Sequence, residues 1–394
     1  MGLYHYLLPL PSGYFGVSSV LYDLGGLIVI YGPAGGAWHI NIEDEPRWYR
    51  GKVTVLGAGL LEMDVILGKD PVFVERIVEV ANDLKRPFVA IAGTPVSAII
   101  GVDLKGLAKA VQKRIDVPVL CINTTGAETY YEGAEKAFLA LANTFVQPVA
   151  NKRQNGVNIL GAIHLDIGRS SHLKPLFALL EKGGWEVISC WCISTKLDDI
   201  KRAAEASLNI VVGASGISLA KFMYERFGIP YIIGIPVGEK AEKEFLALLE
   251  GKKTQDKEIK EEKTRALIIG EPVIGYSLKK FFKGELGFKE AEVVSVFPIN
   301  PLFTEKKGCI GSFLERGKGD VYTTSETEIA TLINQPDVDL IIADPCYERL
   351  IEGEKRFIPL PHIAMSARFY WEADYEYIGK AGGEYLKRQL KVVR

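Results

Sequence analysis

The sequence has little net charge, few cysteines and no long apolar run. Its 394 residues carry a net charge of −2, and Lys and Arg are not gathered into the basic stripe typical of nucleic-acid-binding proteins. The longest apolar runs have the length of single strands, so no segment is predicted to cross a bilayer. Residues 1–10 lack the positive start and the long apolar core of a signal peptide, and we therefore expect a cytoplasmic protein.

The five cysteines are an odd number, and in a cytoplasmic chain we expect thiols or ligands rather than disulfides. Two phosphate-binding patterns are also missing. No Lys-Ser or Lys-Thr follows the glycines after the first predicted strand, and no predicted strand–helix turn carries G-x-G-x-x-G. The sequence therefore does not favour nucleotide binding.

Short β-branched runs alternate with amphipathic helical patterns along the chain. This alternation is typical of parallel sheets built from strand–helix–strand units, and it predicts an α/β fold. The length of the chain suggests two or three domains. We place α/β units at 1–150, 151–250 and 265–394. A charged linker at 251–264 connects the second unit to the third.

The stretch 27–39, LIVIYGPAGGAWH, is the first candidate site. A buried strand ends in glycines, and Gly35 and Gly36 allow the backbone to turn and to approach a ligand closely. Trp38 and His39 follow at the strand end, where open α/β sheets keep their sites. They could stack on, or donate to, a planar ligand such as a tetrapyrrole, and the alternative for the histidine is a capped or interfacial residue.

Other candidates also lie after predicted strands. Cys190 and Cys192 share one face of a strand, and they are either weak candidates for metal ligation or redox chemistry, or small apolar packing groups. His164 and Asp166 follow another strand and could form an imidazole–carboxylate pair.

The last predicted unit contains three further features. Asp344 and Cys346 lie at a strand end and predict either a binding group or ordinary Asp-Pro turn chemistry. A final strand is expected to include Ile363 and Ala364. A polar aromatic patch, which could face a pocket or a partner, consists of Arg368, Tyr370 and Trp371.

Five motifs in this order resemble the nitrogenase component 1 family, and the similarity runs over nearly the whole chain. YGPAGGAWH (31–39) is similar to the family's HGPxGC turn, LEMDVILG (61–68) to its ExDVxFG stretch, AGTPVSAIIG (92–101) to its TxCxxxIGD segment, the segment 203–230 to its second-domain helix and strand, and YIGKAG (377–382) to its closing YxGxxG. The family also includes dark-operative protochlorophyllide reductase, the nickel-sirohydrochlorin reductive cyclase and cofactor-assembly scaffolds.

The resemblance implies three Rossmann-like domains, with parallel sheets flanked by helices, around a central cleft. It also implies an iron–sulfur cluster held by cysteines and electrons supplied by an ATP-dependent iron protein. The partners that it implies are a second copy of the chain or a paralogous, cysteine-containing subunit.

The chain departs from the family at the ligand positions. The cluster cysteines of the family fall at Pro9, Gly36 and Pro95, whose side chains offer iron no donor. The cysteine that anchors the nitrogenase cofactor falls near Gly213, and no histidine follows His362 to match its histidine partner. The comparison therefore implies a chain that lacks a family-type iron–sulfur cluster of its own.

Two main functions remain open. The first is a subunit of a nitrogenase-like two-component reductase that works with an iron protein, while a partner subunit brings the cysteines. The second is a non-catalytic scaffold that binds a metal cofactor or a tetrapyrrole. A sugar- or nucleotide-handling α/β enzyme is a third, more general interpretation. The candidate cofactor-binding residues are Gly35, Gly36, Trp38, His39, Cys190, Cys192 and Gly213.

Overall fold

A computed structural model describes residues 4–40, 47, 54–68, 70–252, 262–304 and 307–392. The strands, in chain order, are β1 (Leu27–Tyr31), β2 (Thr54–Gly57), β3 (Val89–Gly93), β4 (Val119–Ile122), β5 (Gly156–Ala162), β6 (Glu186–Cys192), β7 (Leu208–Val211), β8 (Tyr231–Ile233), β9 (Glu262–Gly270), β10 (Phe288–Ser295), β11 (Cys309–Ser312), β12 (Val321–Tyr322), β13 (Leu340–Ala343) and β14 (Arg356–Pro359).

Helices connect and cover these strands. They are α1 (Gly13–Leu21), α2 (Ala34–His39), α3 (Glu62–Leu67), α4 (Asp70–Leu84), α5 (Pro95–Ile99), α6 (Leu104–Gln112), α7 (Tyr130–Phe145), α8 (His164–Ile167), α9 (Lys174–Lys182), α10 (Leu197–Lys201), α11 (Ile217–Phe227), α12 (Glu239–Leu249), α13 (Pro272–Gly284), α14 (Asn300–Thr304), α15 (Glu326–Ile333), α16 (Ile363–Ser366) and α17 (Gly379–Val392).

The strands form three parallel sheets. The first has the order β2-β1-β3-β4, the second β11-β8-β7-β5-β6 and the third β12-β10-β9-β13-β14. The predicted α/β class with parallel sheets and flanking helices is therefore confirmed. Strand β11 joins the second sheet although the strands before and after it in the chain belong to the third, an arrangement that the sequence did not indicate.

The chain divides into two compact units. The amino-terminal unit comprises Leu10–Pro148 and Ser189–Ala204, and the larger unit comprises Met1–Pro9, Val149–Ile188 and Glu205–Arg394. The larger unit contains the third sheet and nearly all of the second, because the division falls within β6. The domain boundaries drawn from the sequence stay predictions, and most of the proposed linker lies outside the described residues.

The first sheet has a buried strand, β1, at its centre. All five of its residues are buried, as expected for a parallel strand covered on both faces. One face packs against α4 and α6, whose buried residues include Ile77 and Leu107. Helices therefore cover this face of the sheet, as the alternation of strand and helix patterns predicts.

Helices α1 and α7 of the amino-terminal unit pack backbone against backbone. A Cβ atom added at Gly133 would lie 1.8 Å from the carbonyl oxygen of Gly13, and one added at Gly16 would lie 1.8 Å from that of Tyr130. These two glycines permit the close contact, because any side chain there would force the helices apart.

The expected final strand at Ile363 and Ala364 is wrong. Strand β14 ends at Pro359, and the two residues belong to the short helix α16. Pro359 and Pro361 have no N–H group to donate to a sheet ladder, which ends the strand. The backbone N–H of His362 instead donates to the Asp344 carboxylate at 2.7 Å.

Within the described ranges, no helix is both long enough and apolar enough to cross a membrane.

Gly133→Ala is expected to destabilise the amino-terminal unit by about 3 kcal/mol, because the new methyl group overlaps the backbone of α1. Gly35→Ala is the matched control, since Gly35 also lies in a helix but has no atom within 4 Å of an added Cβ. We expect it to be neutral or slightly stabilising. Chemical denaturation of both variants measures the difference, and equal midpoints would contradict the close packing.

Candidate functional site

The carboxyl ends of strands in the larger unit bring together acid and base groups that are far apart in the sequence. Asp166 lies in α8, just after β5, Glu271 follows β9 directly, and His362 lies three residues beyond β14. Parallel strands place their carboxyl ends along the same edge, which is where α/β folds form sites. All three side chains are buried.

Asp166 and His362 form a buried ion pair or hydrogen bond. The Nε2 atom of His362 lies 3.1 Å from Oδ1 of Asp166. The loop that carries His362 is fixed by Asp344, whose carboxylate accepts hydrogen bonds from the backbone N–H groups of His362 at 2.7 Å and Cys346 at 2.9 Å. Asp344 therefore acts as a turn and loop anchor, the second of the two roles considered for it.

Glu271 joins the second and third sheets. It lies at the N-cap of α13, where Oε2 accepts the N–H of Ile274 at 2.7 Å, while Oε1 accepts the N–H of Ala214 at 2.7 Å from the loop after β7. Burial, and then the negative charge of Asp166, raise the pKa of Glu271 to about 8.

Tyr377 completes the cluster. Its side chain lines a cavity together with Asp166, Glu271 and His362, and its hydroxyl is buried without a hydrogen-bond partner. The cavity has a volume of about 20 Å³, space for a water-sized group. Pockets for drug-sized ligands have volumes of roughly 300 Å³ or more, so this cavity does not fit a tetrapyrrole.

The two histidines near Asp166 are held by backbone oxygens. Nδ1 of His164 lies 2.6 Å from the carbonyl oxygen of Gly168, and Nδ1 of His172 lies 2.9 Å from that of Ile167. The imidazole of His362, which is distant in sequence, pairs with Asp166.

The predicted polar aromatic patch is partly covered. The ring of Trp371 lies 5.6 Å from that of His164, and Tyr370 is half-buried while Arg368 is exposed. Cys346 lies near this region and is half-buried. Burial and the charge of Asp344 raise the pKa of its thiol to about 12, which makes it a poor nucleophile.

The glycine-rich stretch of the amino-terminal unit turns after β1 and then forms the short helix α2. An added Cβ would meet nothing within 4 Å at Gly35, and at Gly36 it would make only ordinary contact, 3.6 Å from Ile30. Trp38 and His39 are exposed and contact each other edge to face, with ring centroids 5.2 Å apart. Ligand binding by these four residues stays a prediction.

An apolar surface follows the carboxyl ends of β1, β2 and β3, which are neighbours in the first sheet. We call it the carboxyl-edge surface. Ile66 is 73% exposed and Ile99 is 84% exposed, values unusual for isoleucine. Its exposed members are Trp38, Leu61, Met63, Ile66, Leu67, Ile99 and Ile100. Large apolar side chains exposed at one edge of a sheet are typical of interaction surfaces.

Cys190 and Cys192 lie at the end of β6 and are buried. Burial, reinforced by Cys192, raises the pKa of the Cys190 thiol far above its ordinary value. The Cys192 thiol donates to the carbonyl oxygen of Ser19 at 3.1 Å, and its backbone has a φ of +102°, which is strained for a residue with a side chain. These surroundings favour packing over metal ligation, since a ligand must be a thiolate.

Gly213 lies where the ends of β5 and β7 approach each other most closely. A Cβ atom there would lie 2.4 Å from the carbonyl oxygen of Gly161. No side chain fits at this position without moving the backbone, and cofactor binding at Gly213 stays a prediction.

The expectation that this chain lacks a family-type iron–sulfur cluster stays a prediction. Pro9, Gly36 and Pro95 offer no donor atoms to iron. Across the described part of the chain, no group of three or more His, Cys, Asp or Glu side chains is arranged to hold a metal ion.

Sequence reasoning did not identify Glu271, His362 or Tyr377 as site residues. Glu271 stands between a predicted strand and a proline, and an acid at that place indicates both a helix cap and a strand-end group. His362 was missed because the apolar residues that follow it suggested a strand. No feature of the sequence around Tyr377 indicates that its side chain lies beside these groups.

A model of the nitrogenase component 1 type oxidoreductase family matches residues 12–266. The chain belongs to this family. The resemblance to this family is therefore confirmed.

Individual relatives give the same result. The nitrogenase iron-molybdenum cofactor biosynthesis protein NifE of Clostridium pasteurianum is 27% identical over 211 residues, which cover 52% of this chain and 45% of the relative. The protein of that name from Sinorhizobium fredii is 29% identical over 235 residues, covering 58% of this chain and 46% of the relative. The matches thus span less than half the length of these curated relatives.

The fold also resembles a solved structure over its whole length. Nitrogenase Cp1 at pH 6.5 superposes with a TM-score of 0.76 at 15% identity, covering all of this chain and 93% of the other. At that identity the likeness supports the fold alone.

We expect the double variant Cys190→Ser, Cys192→Ser to keep the metal content of the parent protein, because the two thiols are buried packing groups. Cys192→Ser, which keeps a donor for Ser19, should cost less stability than Cys192→Ala, by about 1 kcal/mol. Elemental analysis and thermal melts check the two statements. Metal that is bound by the parent and lost in the double variant would instead assign these cysteines as ligands.

Proposed function

We propose that this chain is a subunit of a nitrogenase-like two-component assembly and has no family-type iron–sulfur cluster of its own. The supporting observation is the carboxyl-edge surface, where Gly36 and Pro95, which offer no donors, lie at the edge that carries the exposed apolar residues. An edge of this composition is suited to cover by a second protein chain. In this proposal a paralogous subunit supplies the cysteines, and pairing with a second copy of the chain is the alternative arrangement.

In this proposal the assembly works in the cytoplasm with an ATP-dependent iron protein. Electron transfer then uses metal centres of the partner subunit, and no step passes through a cluster on this chain. The contribution of this chain is to bind and to orient the partner.

The alternative is a non-catalytic scaffold that binds a cofactor. The names of the NifE relatives, which are cofactor biosynthesis proteins, favour it. The small size of the cavity in the larger unit, about 20 Å³, speaks against an internal cofactor there. A scaffold role would therefore use the exposed turn at Trp38 and His39.

The chain purified alone without oxygen is expected to contain no iron and to show no iron–sulfur absorption. Co-expressed with a cysteine-complete paralogous subunit, it should purify as a complex that contains iron. Iron assays and visible spectra of both preparations make the comparison. A cluster bound by the isolated chain would refute the proposal, and binding of a tetrapyrrole or a metal cofactor by the isolated chain would favour the scaffold.

Ile66→Glu and Ile99→Glu are expected to weaken pairing through the carboxyl-edge surface at least about tenfold each, because a charge would be buried at the interface. Val392→Glu is the matched control, since Val392 is 75% exposed and lies in α17 of the larger unit. Light scattering of the isolated chain and pull-down with the paralogous subunit report pairing. Unchanged pairing in both edge variants would place the interface elsewhere.

A further inference from the structure

A small cavity in the larger unit is lined by buried acid–base groups that the proposed function does not use. Asp166, Glu271, His362 and Tyr377 come from four separate segments and all line it. Their exposed fractions are 4%, 4%, 6% and 2%, respectively. No lysine or arginine of the described chain is among the lining residues. Two carboxyl groups therefore share a confined space whose one basic group is an imidazole.

The hydrogen bonds around the cavity fix the carboxyl groups in place. Asp166 is bonded to His362 at 3.1 Å, and Glu271 accepts one backbone N–H from the second-sheet side, that of Ala214, and one from the third-sheet side, that of Ile274, each at 2.7 Å. Neither carboxyl can swing away to separate the charges without breaking these bonds.

The hydroxyl of Tyr377 is a second and independent sign of a ligand. It is buried, lines the cavity, and has no hydrogen-bond partner. A buried hydroxyl without a partner costs about 1–3 kcal/mol, so native proteins supply a bonding group to such an atom. The volume of about 20 Å³ accommodates a single water-sized group beside it.

We propose that this cavity is a proton-binding site, in which Glu271 holds one exchangeable proton beside Asp166 and a single water bonded to Tyr377. Two carboxylates confined away from water resist ionising together, so one of them retains a proton where an exposed carboxyl would have lost it. The bound proton links the segments that follow β5 and β9. It makes the junction of the second and third sheets sensitive to pH.

The surrounding groups are consistent with this assignment. Asp344 is engaged by the backbone N–H groups of His362 and Cys346, and Tyr375 stacks on Tyr377 with ring centroids 6.4 Å apart. Burial and Asp166 raise the pKa of Glu271, and the N–H groups of Ile274, Ala214 and Val273 oppose that rise without cancelling it. Burial also raises the pKa of Tyr377, which keeps its hydroxyl protonated as a donor.

The direction of the pH dependence follows from linkage. The pKa of Glu271 is about 8 in the folded chain and has its ordinary value of 4.5 when unfolded. Between these two values the folded chain holds a proton that the unfolded chain has released. Stability is therefore greatest at the acidic end of this window and falls as the pH rises through it, approaching a tenfold drop in the folding equilibrium constant per pH unit.

The test is Glu271→Gln, which has the same shape but no titrating proton. In the parent protein the melting temperature should fall as the pH rises from about 5 to about 8, and in Glu271→Gln this fall should be absent. The altered hydrogen bonds can lower the melting temperature of the variant at every pH without restoring the pH dependence. Glu244→Gln is the matched control, because Glu244 is equally buried, at 6% exposure, but is paired with Lys280 at 3.0 Å. It should lower stability and keep the slope.

Infrared spectroscopy of the full chain at pH 7 gives a second readout. The parent should show the carbonyl band of a buried, protonated carboxylic acid, and Glu271→Gln should lack it. If Glu271→Gln does not fold, Asp166→Asn replaces it. That variant should show the Glu271 band, but the band should disappear at a lower pH than in the parent protein, because the negative charge of Asp166 is gone. Absence of the band in the parent, or its persistence in Glu271→Gln, would overturn the assignment.

Discussion

The hydrogen bond between the backbone N–H of Ala214 and the carboxylate of Glu271 connects the second and third sheets of the larger unit. It depends on an approach of two strand ends that leaves no room for a side chain. Gly161 has a φ of +79°, and an added Cβ would lie 2.5 Å from the carbonyl oxygen of Gly213. This backbone contact presents Ala214 to Glu271, and it also explains why position 213 carries glycine rather than a ligand residue.

The same interaction determines what the interior can hold. Glu271 and Asp166 fill the strand-end region with carboxyl groups, and the remaining space is that of a water molecule. A tetrapyrrole would bring its own carboxylates into a place that already holds two acids, and the desolvation of further negative charge would oppose binding. The chemistry of this region therefore concerns protons. Recognition of a larger partner falls to the exposed edge of the first sheet.

Much of the fold could be predicted from the sequence, because strand and helix periods are local. The buried strand expected at the start of the stretch 27–39 is present as β1. The acid–base cluster could not be predicted in this way, since Asp166 and His362 are 196 positions apart. One local pattern also led to a wrong prediction. The apolar residues Ile363 and Ala364 suggest a strand, but the prolines before them have already ended strand β14.

The two glycines at which the motif resemblance places family cysteines, Gly36 and Gly213, differ physically. Gly36 has room for a side chain, with its nearest neighbour at 3.6 Å from an added Cβ, so only a donor atom is missing there. Gly213 has no such room, because the carbonyl oxygen of Gly161 would lie 2.4 Å away. A single substitution could restore a thiol at the exposed edge, whereas the interior position would require the strand ends to separate and the bond to Glu271 to break. The edge of the first sheet thus has room for an additional side chain, whereas the interior is packed around a buried pair of acids.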